Sequence, residues 1–332
     1  MSKIESLKRE CEKNGFPLAG VVDLDLAWAL FHPHVDRYRE WIERGNHGEM
    51  HYLQRGLERR TDPRLVYPET KSILCVARPT QRTPLGSKDP TIGPRIARYT
   101  AGGDYHDSMK LDLERALMAF NEKQVQASES PLRYKVCVDT SAVLERSWAH
   151  LAGLGWIGKN TLLIHPKFGS YLLIGVALLD QTFDAPPAPL PNYCGSCTRC
   201  IKGCPTEALS TGGWLDSRKC TAYLTLEKRG EWSTTAPTEK IGTWIAGCDI
   251  CQEVCPFNIK PEREEQVTSN PTVNPLITWD ALFAESTDAY RARVQGSALS
   301  RVKPEMARRN LEQAYRNSRG KDPDTTSSES PY

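Results

Sequence analysis

Several stretches of the chain carry apolar residues at the spacing of an amphipathic helix. Residues 4–15 and 36–45 follow this period, and each of these segments ends at a glycine that can close a helix. Residues 107–124 and 141–152 follow it as well. The pattern therefore predicts helices in all of these segments.

Other stretches are continuously apolar and rich in β-branched residues, which predicts buried strands. Residues 72–79 and 133–139 are of this kind. Residues 161–166 and 170–180 are separated by a short turn around Gly169 and predict a β-hairpin. A hairpin, combined with strands that alternate with helices, predicts an α+β fold with a mixed sheet rather than a purely parallel one.

Changes in composition predict how the chain is divided. The proline-rich segment that begins at residue 184 is the clearest boundary, because such linkers separate compact units. Cysteines are concentrated after it, an arginine-rich helical segment follows, and the last residues are polar. We therefore predict a catalytic α+β domain at 1–183, a cysteine-rich domain at 184–265, a helical segment at 266–317 and a disordered tail at 318–332.

Charge and hydropathy restrict the classes of protein to which the chain can belong. The 332 residues include 43 Lys and Arg against 41 Asp and Glu, so net charge gives no general affinity for nucleic acid. No apolar run reaches the roughly 18 to 20 residues that span a bilayer, and the first residues lack the apolar core of a signal peptide. We expect a cytoplasmic protein without a membrane segment, whose cysteines serve metal binding or catalysis rather than disulfides.

Most of the eleven cysteines lie between positions 194 and 255. The first of them have the spacing C-x2-C-x2-C-x3-C-P, which bacterial-type ferredoxins use for [4Fe–4S] clusters, and the others form a partly opened version of it. In that pattern the cysteine before proline is a ligand of the neighbouring cluster. We expect two [4Fe–4S] clusters with crossed ligands: cluster one held by Cys194, Cys197, Cys200 and Cys255, and cluster two held by Cys204, Cys220, Cys248 and Cys251.

Structural zinc is the alternative for these cysteines, because zinc also accepts four thiolates at C-x2-C spacing. Two linked ferredoxin-like groups fit zinc poorly. Two clusters in one chain indicate an electron path, which needs an acceptor.

The segment GLGWIGKN, here called the glycine loop (153–160), has the G-x-G-x-x-G spacing of a dinucleotide-binding turn. A predicted helix precedes it and a predicted strand follows, which is the reverse of the order that dinucleotide binding requires. The sequence also has no haem-attachment motif C-x-x-C-H. The first domain should therefore hold a cofactor that no short motif announces.

The chain resembles the epoxyqueuosine reductases, which are cobalamin-dependent iron–sulfur enzymes that act on tRNA. The combination of the glycine loop with two ferredoxin-type groups is the specific part of the resemblance. Reductive dehalogenases share the plan of a corrinoid with two clusters and are the nearest alternative. The segments that carry the resemblance are 48–74, 95–110, 138–164, the ferredoxin-like run from 194, 220–230 and 247–258.

The resemblance implies that base-off cobalamin is held by the first domain. It implies that the glycine loop lines this site, where glycines let the backbone approach the macrocycle, although a tight helix-to-strand turn is the alternative. It implies no histidine ligand for cobalt, and a solvated surface residue is the alternative for Arg60. The implied cobalamin contacts are Arg60, Tyr105, Asp139, Trp156, Lys159 and Asn160.

The resemblance also implies that Asp139, at the end of a predicted strand, is the general acid above the cobalt. Converting an epoxide to an alkene takes two electrons and two protons, and the oxygen leaves as water. A carboxyl group donates a proton near neutral pH only if burial raises its pKa. The alternative role for Asp139 is to cap the helix predicted after it.

The implied substrate is tRNA that carries epoxyqueuosine in its anticodon loop. Basic residues near the C-terminus can bind its phosphates, although charged helix faces are usually only solvated. The chain departs from the family at Ala222, where a hydroxyl is common, and in a helical-repeat extension that many relatives have. The basic residues predicted to bind tRNA are Lys228, Arg229, Arg301, Lys303, Arg308 and Arg309.

The predicted activity is reduction of epoxyqueuosine to queuosine at the tRNA wobble position, by a monomer that receives electrons from an external low-potential donor. A reductive dehalogenase would hold cobalt and clusters but would not act on tRNA. A ferredoxin-type electron carrier would hold clusters but no cobalt.

Overall fold

A computed structural model describes residues 2–80, 85–100, 102–259 and 278–320. The helices are α1 (Lys3–Lys13), α2 (Leu24–Glu43), α3 (His51–Arg55), α4 (Leu57–Thr61), α5 (Tyr105–Gln126), α6 (Glu145–Leu151), α7 (Arg199–Lys202), α8 (Thr221–Leu226), α9 (Ile250–Glu253), α10 (Trp279–Ala284), α11 (Thr287–Val294) and α12 (Pro304–Arg319). The strands are β1 (Leu18–Asp23), β2 (Ser72–Pro79), β3 (Leu85–Gly86), β4 (Arg95–Ile96), β5 (Tyr134–Cys137), β6 (Trp156–Ile157), β7 (Leu163–Ile164), β8 (Leu172–Leu179), β9 (Leu209–Ser210), β10 (Trp214–Leu215) and β11 (Trp244–Ala246).

The first part of the chain is built on a four-stranded antiparallel sheet with the order β1-β2-β8-β5. β2 lies inside this sheet, so its alternate side chains enter two different cores. Ile73, Cys75 and Ala77 pack with α2 and α6 on one face. Leu74 and Val76 pack with α1 and α5 on the other. Burial on both faces explains why this strand is an uninterrupted apolar run in the sequence.

The predicted α+β class is confirmed, and most predicted elements are present with altered ends. β2 coincides with the predicted strand 72–79, and α5 contains the whole predicted helix 107–124 and extends two residues beyond it at each end. The predicted helix 36–45 is the last part of α2, which continues through Pro33. α6 begins only at Glu145, and β1 was not predicted.

The predicted hairpin of residues 161–166 and 170–180 is confirmed only at its turn, where His165 and Gly169 form an antiparallel bridge, and its two strands β7 and β8 do not pair. β7 pairs with β6, so that Ile164 lies opposite Trp156. β8 instead pairs with β2 and β5 in the large sheet. Gly155 permits the close approach of β6 and β7, because a Cβ at this position would overlap the carbonyl oxygen of Ile164.

The C-terminal helices pack on a second, smaller sheet. In this sheet β11 runs parallel to β4 and β3 runs antiparallel to β4, so its pairing is mixed. Side chains of α10, α11 and α12 form a common core with β4 and β11. Within the predicted helical segment 266–317, residues 278–317 are described and contain α10, α11 and most of α12. The last of these helices continues beyond the segment to Arg319. Residues 266–277 and 321–332 lie outside the described residues, and the predicted domain limits stay predictions.

None of the helices in the described ranges has the length and apolar character needed to cross a bilayer.

Gly20 lies in β1 where the sheet meets the end of α6. A Cβ at this position would overlap the carbonyl oxygen of Ala152 and lie 2.8 Å from a methyl group of Leu154. We expect Gly20→Ala to lower the free energy of unfolding by about 1 to 3 kcal/mol, the usual cost of overpacking a core. Urea unfolding measures this loss. Gly102→Ala is the control, because a Cβ there would meet no atom within 4 Å; equal losses in the two variants would contradict the prediction.

Candidate functional site

The cysteines predicted to hold cluster one face one another, although Cys255 is distant from the others in sequence. Burial raises the pKa of the Cys200 thiol, and Cys194, Cys255 and Cys197 raise it further. Burial also raises the pKa of Cys255, with further contributions from Cys194 and Cys197. Cys194 and Cys255 also pack in one small apolar cluster, so residues that are distant in sequence meet at this site.

The cysteines predicted to hold cluster two also affect one another's pKa values. Burial raises the pKa of Cys248, and Cys220 and Cys204 raise it further. Burial likewise raises the pKa of Cys251, followed by the effects of Cys248 and Cys220. Within the described ranges, no three His, Cys, Asp or Glu side chains are close enough to hold a single metal ion. Thiols with raised pKa values must lose their protons when they bind metal.

The glycine loop packs against the loops that carry the cysteines. Trp156 is fully buried, and its indole N–H donates to Sγ of Cys194 at 3.4 Å. The ammonium group of Lys159 donates to two backbone carbonyls of the same cysteine turn, at 2.6 and 2.9 Å. Asn160 is 3.5 Å from a carbonyl of the other turn. The predicted cobalamin contacts of Trp156, Lys159 and Asn160 have no support from this arrangement, in which the cysteine loops are their neighbours.

Asp139 follows β5, and both its backbone and its side chain form hydrogen bonds. Its backbone lies in the left-handed region, with φ of 56°, which aspartate tolerates better than most residues. Its N–H donates to Oε1 of Glu145 at 2.6 Å, and its carboxylate is 2.9 Å from Nε2 of His106. The residue that flanks the start of α6 is Leu144, so Asp139 is not the cap of that helix. The Asp139 side chain is 51% exposed and therefore accessible to a bound molecule.

His106 lies between two carboxylates. Asp104 caps α5 by accepting from the backbone N–H of His106 at 3.1 Å, and it also contacts Nδ1 of the ring. Burial alone would lower the pKa of His106, but the hydrogen bonds to Asp139 and Asp104 outweigh burial and raise it. The same hydrogen bond from His106 lowers the pKa of Asp139, and Arg301 and Arg60 add to this effect. The direction is opposite to the raised pKa that the sequence led us to expect.

Residues from distant segments surround the exposed carboxylate of Asp139, and the surface that they border is here called the cleft. The guanidinium of Arg301 is 4.0 Å from the Asp139 carboxylate. Burial raises the pKa of Glu227, which Asp139 raises further against the effect of Arg229. Burial and Asp139 also raise the pKa of Tyr99. Sequence reasoning identified neither Glu227 nor Tyr99, because no local pattern marks residues that meet only in the folded chain.

Two of the predicted cobalamin contacts lie at this cleft. Tyr105 stacks on His106 with 4.0 Å between ring centroids. Arg60 reaches the carbonyl oxygen of Ser141 at 3.3 Å, while its Nε is buried and has no hydrogen-bond partner in the part of the chain that is described. A buried donor without a partner is costly, so a ligand with polar acceptors is expected beside it. The amides and the phosphate of cobalamin are such acceptors, and the residues present fit this cofactor.

The basic residues predicted to bind tRNA differ in whether their side chains are exposed or are engaged in contacts within the protein. Lys228 is 15% exposed and forms an ion pair at 2.7 Å. Arg309 stacks on the ring of Trp232 at 4.2 Å and donates to backbone carbonyls at the end of α8. Both side chains hold α8 and its neighbours together. Arg229 and Arg308 are exposed.

Comparisons with known proteins show the family of this chain. A family model for a 4Fe-4S double cluster binding domain matches residues 193–258, and one described as "Epoxyqueuosine reductase QueG, DUF1730" matches residues 60–140. Epoxyqueuosine reductases of Synechococcus sp. (strain RCC307) and Gloeobacter violaceus are each 36% identical to the chain, over 92% and 93% of it and 92% and 94% of their own lengths. The chain belongs to the epoxyqueuosine reductase family. Its double cluster domain spans all the clustered cysteines, so the chain holds two [4Fe–4S] clusters in place of structural zinc.

Solved structures of epoxyqueuosine reductases share this fold. One, with a tRNA-Tyr epoxyqueuosine-modified tRNA stem loop, is 27% identical, covers 95% of this chain and 81% of that chain, and has a TM-score of 0.76. Another, from Bacillus subtilis with its catalytic aspartate loop swung out of the active site, is 26% identical with the same coverage and a TM-score of 0.78.

The crossed ligand assignment in this epoxyqueuosine reductase homologue predicts which cysteines share a cluster. Replacing Cys194 and Cys255 together by alanine should remove cluster one alone and leave about four iron atoms per chain. Replacing Cys194 and Cys204 together should remove both clusters. Iron and sulfide analysis, with EPR of the reduced protein, measures the result. If ligands instead followed sequence order, the two double variants would give the opposite results.

The contacts of His106 make stability depend on pH. Because folding raises the pKa of His106, its stabilising contribution is complete below the ordinary histidine pKa of about 6.5 and is lost as the pH rises through the folded value. We expect His106→Gln to lower the free energy of unfolding more at about pH 6 than at about pH 9. Denaturant unfolding at both values measures the difference. His32→Gln, at an exposed position of α2, is the control; a loss in His106→Gln that does not vary with pH would count against the proposed linkage.

Proposed function

We propose that this chain reduces epoxyqueuosine to queuosine at the wobble position of tRNA. The reaction joins one epoxide, two electrons and two protons to give one alkene and one water. The observation that carries the proposal is the hydrogen-bonded pair of Asp139 and His106, which opens into the cleft of a chain with two clusters. The pair supplies protons and the clusters supply electrons to the same place.

Cobalamin in its base-off form would occupy the cleft beside Asp139. When bound, it supplies a strongly reducing cobalt to the epoxide. Arg60 would donate from its free Nε to a polar group at the edge of the cofactor, and Tyr105 would line the cleft. Both ring nitrogens of His106 are occupied, by Asp104 and Asp139, so this histidine is not available as a cobalt ligand.

Electrons would enter at cluster one and leave from cluster two. Gly247, directly before Cys248, packs so closely on Tyr99 that a Cβ would lie 3.7 Å from the tyrosine ring. Burial raises the pKa of Tyr99 and Asp139 raises it further, which supports a position of cluster two on the cleft side of the domain. Cluster one lies beside Tyr193, which is 51% exposed. An external low-potential donor in the cytoplasm would therefore reach cluster one first.

Both protons of the reaction go to the same oxygen atom. The pair of Asp139 and His106 would deliver one of them and would then take up a proton from water before it delivers the second. Asp139 faces the cleft and would donate to the oxygen as the epoxide opens. The lowered pKa of Asp139 and the raised pKa of His106 both favour a proton on the imidazole, from which it would pass to the carboxylate across the 2.9 Å contact. Asp139 is then the catalytic residue, and His106 is a positioning residue that holds its proton.

The tRNA would bind over the cleft, where exposed guanidinium groups can neutralise phosphates. Arg301 is exposed 4.0 Å from Asp139, Arg229 is exposed close to Arg301, and Arg308 is exposed on α12. Lys228 and Arg309 are engaged within the protein and would support this surface rather than contact tRNA. All of these residues come from one chain, so a monomer suffices.

Conversion of the modified nucleoside tests the proposal. Protein reconstituted with iron, sulfide and cobalamin is incubated anaerobically with epoxyqueuosine-containing tRNA and a strong reductant, and queuosine is quantified by mass spectrometry. We expect Asp139→Asn to lower the rate by about 10² to 10⁴-fold, the usual contribution of a general acid. Asp107→Asn, at an exposed position of the first turn of α5, should keep the wild-type rate.

Each rival function gives a different result in this assay. A reductive dehalogenase would bind cobalamin and both clusters but leave the tRNA unchanged. An electron carrier would hold both clusters and bind no cobalamin. If the Asp139→Asn variant converts the tRNA as fast as the wild type, the substrate proposal stands but Asp139 is not the general acid.

A further inference from the structure

The glycine loop makes specific contacts with one cluster site. The indole N–H of Trp156 donates to Sγ of Cys194 at 3.4 Å. The ammonium group of Lys159 lies in the same turn, 2.6 Å from the carbonyl oxygen of Gly195 and 2.9 Å from that of Cys197. One neutral donor and one full positive charge are therefore placed beside the cysteines assigned to cluster one.

We propose that Trp156 and Lys159 set the reduction potential of cluster one and raise it above the value that its buried cysteines alone would give. The inference rests on the ligand assignment for cluster one, and it does not depend on the substrate. Trp156 and Lys159 are positioning residues, since they act through the cluster ligands.

The physical reason is the charge of the cluster. A [4Fe–4S] core with four thiolates is an anion, and the step [4Fe–4S]²⁺ + e⁻ → [4Fe–4S]⁺ adds one negative charge without making or breaking a covalent bond. The electron comes from the external low-potential donor. A hydrogen bond to a ligand sulfur and a nearby cation stabilise the reduced state more than the oxidised one, so both raise the potential.

The surroundings of Trp156 strengthen its hydrogen bond. Its ring meets those of Tyr193 and Phe257 edge to face, with centroid distances of 5.0 and 4.7 Å. Trp156 also shares a small apolar core with Cys255, Cys194 and Ile164. Water is displaced from this core, and a hydrogen bond to sulfur has a larger electrostatic effect where the local dielectric constant is low.

The glycines explain how the loop reaches this position. A Cβ at Gly155 would overlap the carbonyl oxygen of Ile164, and a Cβ at Gly158 would overlap the side chain of the same residue. Glycine at both positions lets β6 lie against β7 and directs Trp156 and Lys159 toward the cysteines. The G-x-G-x-x-G spacing thus serves a cluster site in this chain and not a nucleotide site.

A redox titration of the full chain with both clusters, without cobalamin or tRNA, tests the inference. Trp156→Phe keeps an aromatic ring but removes the N–H. At a fixed potential we expect the ratio of reduced to oxidised cluster one to fall about tenfold, equivalent to about 59 mV for one electron, while cluster two is unchanged. EPR follows both clusters, and the variant that lacks Cys194 and Cys255 identifies the signal of cluster two.

Trp148→Phe is the matched control. Trp148 is as buried as Trp156, but among the described residues its indole N–H has no hydrogen-bond partner. The potential of cluster one should not change in this variant. An unchanged potential in Trp156→Phe at full iron content, or an equal shift in both tryptophan variants, would overturn the inference.

Lys159 gives an independent test if Trp156→Phe fails to hold cluster one. Lys159→Gln removes the charge and Lys159→Arg keeps it. A lower potential in Lys159→Gln alone supports the inference, and identical potentials in the two variants and the wild type overturn it. The titration needs no substrate, so a chain that failed to convert epoxyqueuosine could still show these shifts, and the two proposals fail separately.

Discussion

The buried guanidinium of Arg98 is the interaction on which the relation between the large sheet and the cluster domain depends. It donates to Glu253 at 2.9 Å, to Asp249 at 3.4 Å, and to the hydroxyl of Tyr171 beside β8. The backbone N–H of Arg98 donates to the same Asp249 carboxylate at 2.9 Å. Removing one partner of a buried pair leaves an uncompensated charge, so such a group specifies one arrangement of the segments it joins. Asp249 lies between Cys248 and Cys251, and Arg98 therefore also fixes where cluster two sits.

The cleft depends on this arrangement because its walls come from separate parts of the chain. Asp139 lies at the end of β5, Glu227 follows α8, and Arg301 precedes α12. A second contact supports the first: the N–H of Asp104 donates to the carbonyl oxygen of Gly296 at 2.7 Å, which ties the start of α5 to the C-terminal segment. A shift of the cluster domain would therefore move the walls of the cleft as well as the electron path.

Sequence patterns predicted the elements that depend on residues close together in the sequence. They failed where a residue's contacts come from distant segments of the chain. A hydrophobic period or a fixed residue spacing was enough to predict the strand β2, the helix α5 and the two cysteine groups from the sequence. The partner of β7 is β6 and not β8, because Gly155 allows an approach that no hydrophobic pattern records. Arg309 has the same charge as Arg308, but its stacking on Trp232 is visible only after α12 docks. Likewise, Trp156 lies near Cys194 through tertiary contact alone.

Of the two carboxylic acids Asp139 and Glu145, the one with the raised pKa is not the one that we propose as the proton donor. A search for a carboxylic acid with a raised pKa would select Glu145, whose pKa burial and Asp139 raise to about 8. Glu145, however, accepts the backbone N–H of Asp139 and has the role of holding that residue in its left-handed conformation. Asp139 has the lowered pKa, but it also has the exposed carboxylate and the direct contact to His106, whose pKa is raised. Because coupled groups titrate as a pair, the carboxylate can serve as the acid while the imidazole stores the proton.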